Sequence, residues 1–223
     1  MGMGILTRDG VATTAGDRWP LEAYGFVPDP DREYTADEVR ALNAANPRYW
    51  PRFECVAGRL LVTPAPGYPH QSVVERLFVA LASYCAAHFP EGLPKLSPAD
   101  ISWGGREHTV QPDVFVIPRA MGRAAWGASQ VSSAQGWGQI THLLLAAEVL
   151  SPSTAADDRG DKRALYQRQR VPLYWVVDGA ARAVEVWTPD ATAARVERER
   201  LLWHPEGAAV PFELALQDLF RPL

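Results

Sequence analysis

Cysteine and long apolar runs are both scarce in this sequence. Its 223 residues include only two cysteines, Cys55 and Cys85, whose spacing predicts neither a metal site nor a redox pair, so we interpret both as small buried apolar residues. No apolar stretch approaches the roughly 20 residues that a transmembrane helix requires. The N-terminal residues lack the basic segment, apolar run and cleavage site of a secretion signal. We therefore expect a cytoplasmic protein without a membrane span.

An excess of positive charge is also missing. Lys and Arg number 22 against 26 Asp and Glu, which gives a formal net charge of −4. Because non-specific affinity for nucleic acid comes mainly from neutralised phosphates, this balance argues against a broad basic binding face. Any nucleic-acid site must be local. Hydrophobic residues make up 47% and charged residues 22% of the chain, as in ordinary globular proteins.

The chain is long enough for one domain with a substantial core and somewhat short for two. Residues 1–33 mix Gly, Thr, Asp and Pro without apolar periodicity, which predicts a poorly ordered N-terminal extension. We assign residues 34–223 to a single domain.

Several segments of that domain carry local signals for helices and turns. Thr35 followed by Glu38 has the spacing of a capping box and predicts a short helix. RFECVAGRLLVTP predicts a β-hairpin that turns near Ala57-Gly58. Apolar residues recur at helical spacing from His70 to Phe89, which predicts a long amphipathic helix. The Gly-, Ala- and Ser-rich residues 119–139 are expected to form a surface loop.

Strand patterns dominate the rest of the chain. They cover residues 96–103, 110–117, 142–150, 171–178 and 182–189, with a further edge-strand candidate at 194–204. Residues 151–154 predict a turn and residues 157–169 a helix. HLLLAAEVL and PLYWVV are apolar on both faces, as are central strands covered by helices on both sides. The predicted fold is therefore α/β, a mixed sheet flanked by helices.

Two acids interrupt apolar strand patterns. Asp113 opens the run DVFVI, and Glu148 lies near the end of LLLAAEVL. If the strands are neighbours with both side chains on one face, the like charges require a cation between them, and Mg²⁺ is commonly held by such a pair. Alternatively, Asp113 accepts a turn hydrogen bond and Glu148 pairs with a structural arginine. We favour the metal site, because isolated charges in apolar strands are costly.

The helix after the turn adds basic residues. Lys162 lies fourteen residues beyond Glu148 and can stabilise charge that develops on a phosphate. Tyr166 follows one helical turn later on the same face. Arg159, Arg163 and Arg170 are candidate phosphate contacts, although such a stripe is more often a solvated helix face.

These motifs resemble a known family. A PD pair in a strand, the run EVLSPST, a D…K…Y helix and a following PLYWVVD strand are similar to the Uma-type restriction endonucleases, a branch of the PD-(D/E)xK nuclease superfamily. FECVAGRLLVTPAP with a following histidine, and the closing VPFELALQDLF, extend the resemblance from about residue 35 to the C-terminus. The resemblance implies a restriction-endonuclease-like sheet and divalent-metal-dependent hydrolysis of DNA.

The resemblance also implies roles for individual residues. Asp113 matches the first acid and Glu148 the second. Leu150 stands where the wider superfamily usually has lysine, and Lys162 on the helix takes its place in this branch. Glu54 matches an upstream glutamate, as a third acid or as a partner of the others. His70 matches the family's histidine, which contacts the scissile phosphate or caps its helix.

Two functions remain open from the sequence. One is a DNA endonuclease that uses Mg²⁺, with Mn²⁺ as a possible substitute, and that forms a homodimer in order to cut both strands. The other is a catalytically inactive protein of nuclease fold that binds nucleic acid or protein as a regulatory module.

Overall fold

The computed structural model describes residues 29, 31–46, 50–131, 137 and 140–222. Apart from residues 29 and 31–33, the predicted N-terminal extension lies outside the described residues. Helix α1 (Ala36–Ala45) begins with the predicted capping box, in which Thr35 accepts from the Glu38 amide and the Glu38 carboxylate accepts from the Thr35 amide.

A two-stranded hairpin follows α1. Strands β1 (Arg52–Val56) and β2 (Arg59–Thr63) pair in antiparallel fashion. Ala57 and Gly58 form the turn with φ angles of 50° and 77°, and two positive φ angles are what a two-residue hairpin turn of type I′ requires. The predicted hairpin and its turn are confirmed.

The main sheet has six strands. They are β3 (Gly92–Leu96), β4 (Val114–Pro118), β5 (Leu145–Val149), β6 (Tyr174–Asp178), β7 (Ala183–Trp187) and β8 (Arg195–Glu197), in that spatial order. The pair β5–β6 is parallel, and every other neighbouring pair is antiparallel. The sheet is therefore mixed, as predicted.

Helices cover both faces of this sheet. Alternate residues of β4 and β5 pack with helix α2 (Tyr68–His88) on one face, and the remaining residues pack with Leu165 and Tyr166 on the other. All five residues of β5 are buried, which explains the two-faced apolar pattern of this segment. The predicted α/β fold is confirmed.

The helix after β5 is less regular than the sequence indicates. It consists of α4 (Ala155–Asp157), a π-helical turn (Asp158–Lys162) and α5 (Arg163–Arg168). The wide turn adds a residue to the local helical repeat, so it alters the direction of the side chains on either side. The predicted helix is confirmed, and the π-helical turn is a feature that apolar periodicity does not reveal.

Of two neighbouring predicted strands, the first is misplaced and the second is confirmed over its last four residues. The sequence places them at 96–103 and 110–117, whereas β3 ends at Leu96 and β4 begins at Val114. Only Ile101 and Val110 pair between them, as an isolated bridge. Pro98 and Pro112 cannot donate ladder hydrogen bonds, and the Ser97 hydroxyl instead donates to main-chain oxygens of residues 111 and 112.

The expected loop at 119–139 is wrong for its first part. Residues Arg119–Val131 form helix α3. Its Gly122 lowers helix propensity, yet a Cβ there would lie 2.4 Å from a Leu93 methyl group. The glycine therefore permits the close approach of α3 to β3, and this packing offsets the propensity cost.

The C-terminal residues form a second hairpin. The predicted edge strand at 194–204 is divided between β8 and β9 (Arg200–Trp203), and β9 pairs with β10 (Phe212–Ala215) ahead of helix α6 (Leu216–Leu219). Within the described ranges, no helix combines the length and apolar character needed to cross a membrane.

Candidate active site

The ends of β4 and β5 bring the two strand acids together. Val114 pairs with Ala147, so Asp113 and Glu148 occupy the next opposed positions, and opposed residues of antiparallel strands project to the same face. Each acid also meets the other strand's main chain. The Val149 amide donates to Asp113 Oδ2 over 2.9 Å, and the Asp113 amide lies 3.4 Å from Glu148 Oε2.

Lys162 reaches this face of the sheet from the π-helical turn. Its Nζ lies 2.9 Å from Glu54 Oε2, 3.2 Å from Glu148 Oε1 and 3.3 Å from Asp158 Oδ1. The side chain is 4% exposed. Burial opposes the charged form, but the three carboxylates outweigh it and raise the pKa of Lys162 well above its ordinary value. Lys162 is therefore a buried ammonium.

Glu54 approaches from the hairpin. Its Oε1 accepts from the main-chain amide of Gln111 over 2.7 Å. Its Oε2 accepts from the Thr63 hydroxyl and also contacts Lys162. With both oxygens occupied, the carboxylate holds Lys162 in place. This geometry agrees with the partner role left open by the sequence.

His70 lies in the first turn of α2, where it does not cap the helix. The N-cap is Gly67, and His70 Nε2 lies 3.2 Å from Asp113 Oδ2. Burial opposes the imidazolium, but the hydrogen bond and charge of Asp113 outweigh it and raise the pKa of His70. The same contact holds the pKa of Asp113 below its usual value, against the effect of burial. His70 Nδ1 is buried and has no hydrogen-bond partner among the described residues.

Asp158 and Tyr166 complete the surroundings of Lys162 and Glu148. Burial raises the pKa of Asp158 to about 6, although Lys162 acts in the opposite direction. The Tyr166 hydroxyl donates to Glu148 Oε1 over 3.0 Å. The sequence placed Tyr166 on the face of Lys162 but gave Asp158 no role. The i,i+4 spacing of Asp158 and Lys162 is the signal that could have identified it.

The arginine stripe lies outside this arrangement. Arg159 pairs with Asp178 and Glu185, and Arg170 pairs with Asp190. These partners agree with the interpretation of the stripe as a solvated helix face.

All five residues assigned from the sequence line one pocket of about 210 Å³: Glu54, His70, Asp113, Glu148 and Lys162. Its walls include the chain after β2, from Pro64 to Gly67, and the turn from Ser151 to Thr154. A wider groove of about 580 Å³ adjoins it and shares His70, Val149, Ser151 and Pro152 with its lining.

Negative charge exceeds permanent positive charge in this pocket. Among the described residues that line it are four carboxylates and two permanent cations, together with His70: the acids Glu54, Asp113, Glu148 and Asp158, and the cations Arg52 and Lys162. Burial raises the pKa of Glu148 well above its ordinary value, and Lys162 only partly opposes this shift because the other acids add to it. An additional cation would relieve the repulsion.

The donor set suits a hard divalent cation with few protein ligands. Within the described ranges, no cluster of three His, Cys, Asp or Glu side chains has an arrangement that could hold a metal ion. Asp113 and Glu148 offer two carboxylates, and Mg²⁺ is often held by one or two carboxylates while water and substrate phosphate supply the other ligands. These two carboxylates therefore fit Mg²⁺, and the described residues do not offer an all-protein cage.

Comparisons with known proteins agree with this architecture. A family model described as "Putative restriction endonuclease" (Uma2) matches residues 37–222. Among solved structures, the chain is similar to a "putative nuclease belonging to DUF820" from Anabaena variabilis, with 18% identity and a TM-score of 0.61 over 83% of this chain and 97% of that one. Comparison with curated proteins gives no significant match. The family model spans most of the length of this chain. The chain therefore belongs to the Uma2 family and has the restriction-endonuclease-like fold.

Proposed function

We propose that this protein is a Mg²⁺-dependent endonuclease that hydrolyses DNA phosphodiesters, with Mn²⁺ as a possible substitute. The observation that carries the proposal is the convergence of Asp113, Glu148 and Lys162 in one pocket. The family description and the solved neighbour support a nuclease-like function.

Asp113 and Glu148 are the residues that would hold the metal. Asp113 Oδ2 accepts from His70 and the Val149 amide, so we assign Oδ1 to the metal. Glu148 Oε1 accepts from Lys162 and Tyr166, whereas its Oε2 makes only the longer 3.4 Å contact with the main-chain amide of Asp113 among these bonds, so we assign Oε2 to the metal. Bound there, Mg²⁺ would act as a Lewis acid on the phosphate and would lower the pKa of a water molecule.

The remaining residues orient and balance these acids. Lys162 fixes Glu148 and contributes a fixed positive charge beside the reacting phosphate. Glu54 positions Lys162. His70 orients Asp113 and, with its raised pKa, is a candidate proton donor to the leaving oxygen. A single pocket cuts one strand at a time, so we propose a homodimer, whose two symmetric sites make cutting both strands of a duplex easiest.

The proposal is tested by plasmid nicking in Mg²⁺ or Mn²⁺, with EDTA as the blank. Glu148→Gln keeps the size and acceptor oxygen of the side chain while removing its charge, and we expect nicking to fall to the EDTA level. Glu213→Gln is the matched control, since Glu213 is half exposed on β10 and pairs with Arg200. Equal nicking by wild type and Glu148→Gln would overturn the assignment.

An inactive binding module is the second candidate. It is favoured by one observation: Lys162 is buried and held by three carboxylates, which restricts its access to a substrate. Titration of the protein with millimolar Mn²⁺ by calorimetry separates the two functions. Heat that Asp113→Asn abolishes supports the nuclease, whereas the absence of heat in the wild type supports the binding module.

A further inference from the structure

The pocket contains a second permanent cation, Arg52, whose surroundings differ from those of Lys162. Lys162 is paired with three carboxylates and His70 with Asp113. No carboxylate among the described residues lies within ion-pair distance of Arg52. Arg52 and Glu54 are two residues apart on β1, so their side chains lie on the same face of the strand, which borders the pocket.

Neutral groups hold this guanidinium in a fixed position. Nη1 donates to Gln111 Oε1 over 2.8 Å, and Cζ lies 4.2 Å from the centre of the Trp50 ring. The side-chain nitrogen Nε2 of Gln111 in turn donates to Asp100 over 2.8 Å, which turns the side-chain oxygen Oε1 towards Arg52. The guanidinium is thus oriented without being neutralised, and an oriented group loses less entropy when it binds a ligand.

One donor of Arg52 lacks an acceptor. Nε is buried and has no hydrogen-bond partner among the described residues. Leaving a buried donor unpaired is unfavourable, more so for a charged group. Because Arg52 lines the pocket, a ligand with acceptor oxygens that enters the pocket can contact this side chain. The planar guanidinium presents its donors as a fork that matches phosphate oxygens.

We propose that Arg52, held against Trp50, is a phosphate-binding residue of the pocket and takes a non-bridging oxygen of the phosphodiester beside Asp113 and Glu148. This inference rests on the proposed nuclease function. Arg52 would bind the phosphodiester before cleavage, in addition to the roles proposed for the acids and the lysine. The competing explanation is that Arg52 only balances the buried acids, whose charges act on it.

The test measures binding apart from cleavage. Fluorescein-labelled oligonucleotides, single-stranded and duplex, are titrated with the full chain carrying Glu148→Gln, followed by fluorescence anisotropy over a range of salt concentrations. Arg52→Gln and Arg52→Lys are made in this background. Arg200→Gln is the control, because Arg200 is an exposed arginine on β9 that pairs with Glu213. Thermal melts check that each variant is folded.

We expect Arg52→Gln to weaken binding about 10- to 100-fold, as expected for loss of a charge-assisted hydrogen bond. The slope of the logarithm of the binding constant against the logarithm of the salt concentration should fall in magnitude by about 0.7 for single strands or about 0.9 for duplex, which corresponds to one phosphate contact. Arg52→Lys should keep the slope and lose affinity, since it retains the charge without the fork. Arg200→Gln should change neither the affinity nor the slope of its salt dependence.

Unchanged affinity and slope in a folded Arg52→Gln variant would overturn the assignment while leaving the nuclease proposal standing. Full recovery of affinity by Arg52→Lys would also overturn it, because charge balance alone would then be sufficient. If the reference protein binds no oligonucleotide and the wild type nicks no plasmid, the nuclease proposal fails and the assignment of Arg52 fails with it.

Discussion

Replacing Lys162 with methionine tests the charge balance of the pocket most directly. Methionine retains most of the length of the side chain and removes the ammonium. Three carboxylates with oxygens 2.9 to 3.3 Å from Nζ then lose their shared cation. Their side chains are 2 to 4% exposed, so water solvates them poorly in place of the ammonium. We expect Lys162→Met to lower the free energy of unfolding by about 3–5 kcal/mol near pH 8, the usual cost of breaking a buried ion pair.

The loss should depend on pH with a definite sign. Burial already raises the pKa of Asp158 and Glu148 in the folded wild type, and removing Lys162 raises both further. A carboxyl group with a raised folded pKa binds more protons in the folded than in the unfolded state, so stability falls as pH rises. The fall begins near the ordinary carboxyl values of about 4 and continues beyond pH 6. The deficit of Lys162→Met should therefore be small near pH 4 and largest at pH 8.

Urea unfolding followed by tryptophan fluorescence, in EDTA and at several pH values, measures this deficit. Lys95→Met is the matched control, since Lys95 is the only other lysine and lies on the edge strand β3. We expect the control to stay within about 1 kcal/mol of the wild type. A deficit for Lys162→Met below about 1 kcal/mol at pH 8, or one that does not change with pH, would refute the reasoning.

Three further predictions concern the same region. Relative to Asp158→Asn, the wild type should lose roughly 3 kcal/mol of stability between about pH 4 and pH 7, because a pKa raised from 3.8 to about 6 disfavours the folded state as the group ionises. Urea unfolding in which the stabilities of the two proteins change equally over this pH range would contradict the prediction. Tyr166→Phe should cost about 1–2 kcal/mol and reduce nicking, since it removes a donor to Glu148, whereas Tyr174→Phe, which loses a hydrogen bond to a main-chain oxygen, should cost about 1 kcal/mol and leave nicking intact. Arg59→Ala, which removes half-exposed ion pairs from the hairpin to the last residue of α4 and to the π-helical turn, should change stability by less than about 1 kcal/mol in the same urea assay.

The sequence predicts those parts of the fold in which local patterns and packing agree. The hairpin at Ala57-Gly58, the capping box at Thr35 and the long helix each combine a periodic apolar pattern with a specific turn or cap signal. The two acids were identifiable because a charge inside an apolar strand is costly without a partner. Their opposition across β4 and β5 was a condition of that reasoning, and the strand register meets it.

Other features depend on contacts between distant residues. Helix α3 forms although it contains glycines, because Gly122 allows its packing on Leu93. The strand shift around Ser97 follows from its side-chain hydrogen bonds to the chain before Asp113. Arg52 gave no signal, since a single arginine at the start of a strand is common on protein surfaces. Its significance appears only when Trp50 and Gln111 are seen to hold it.

The location of the lysine on a helix has a structural consequence. A lysine at the position of Leu150 would project from the same strand as Glu148, two residues along. Lys162 instead joins Glu54 of the hairpin, Glu148 of the sheet and Asp158 of its own turn. The contacts that position the proposed catalytic ammonium are therefore the contacts that attach the hairpin and the π-helical turn to the sheet. Because four acids face two permanent cations and His70 among the described residues of the pocket, assembly of the pocket depends on Lys162, and full ionisation of all four acids requires a further cation. That requirement favours a bound divalent cation, whereas the phosphate contact proposed for Arg52 depends on the charge and the donors of the guanidinium itself.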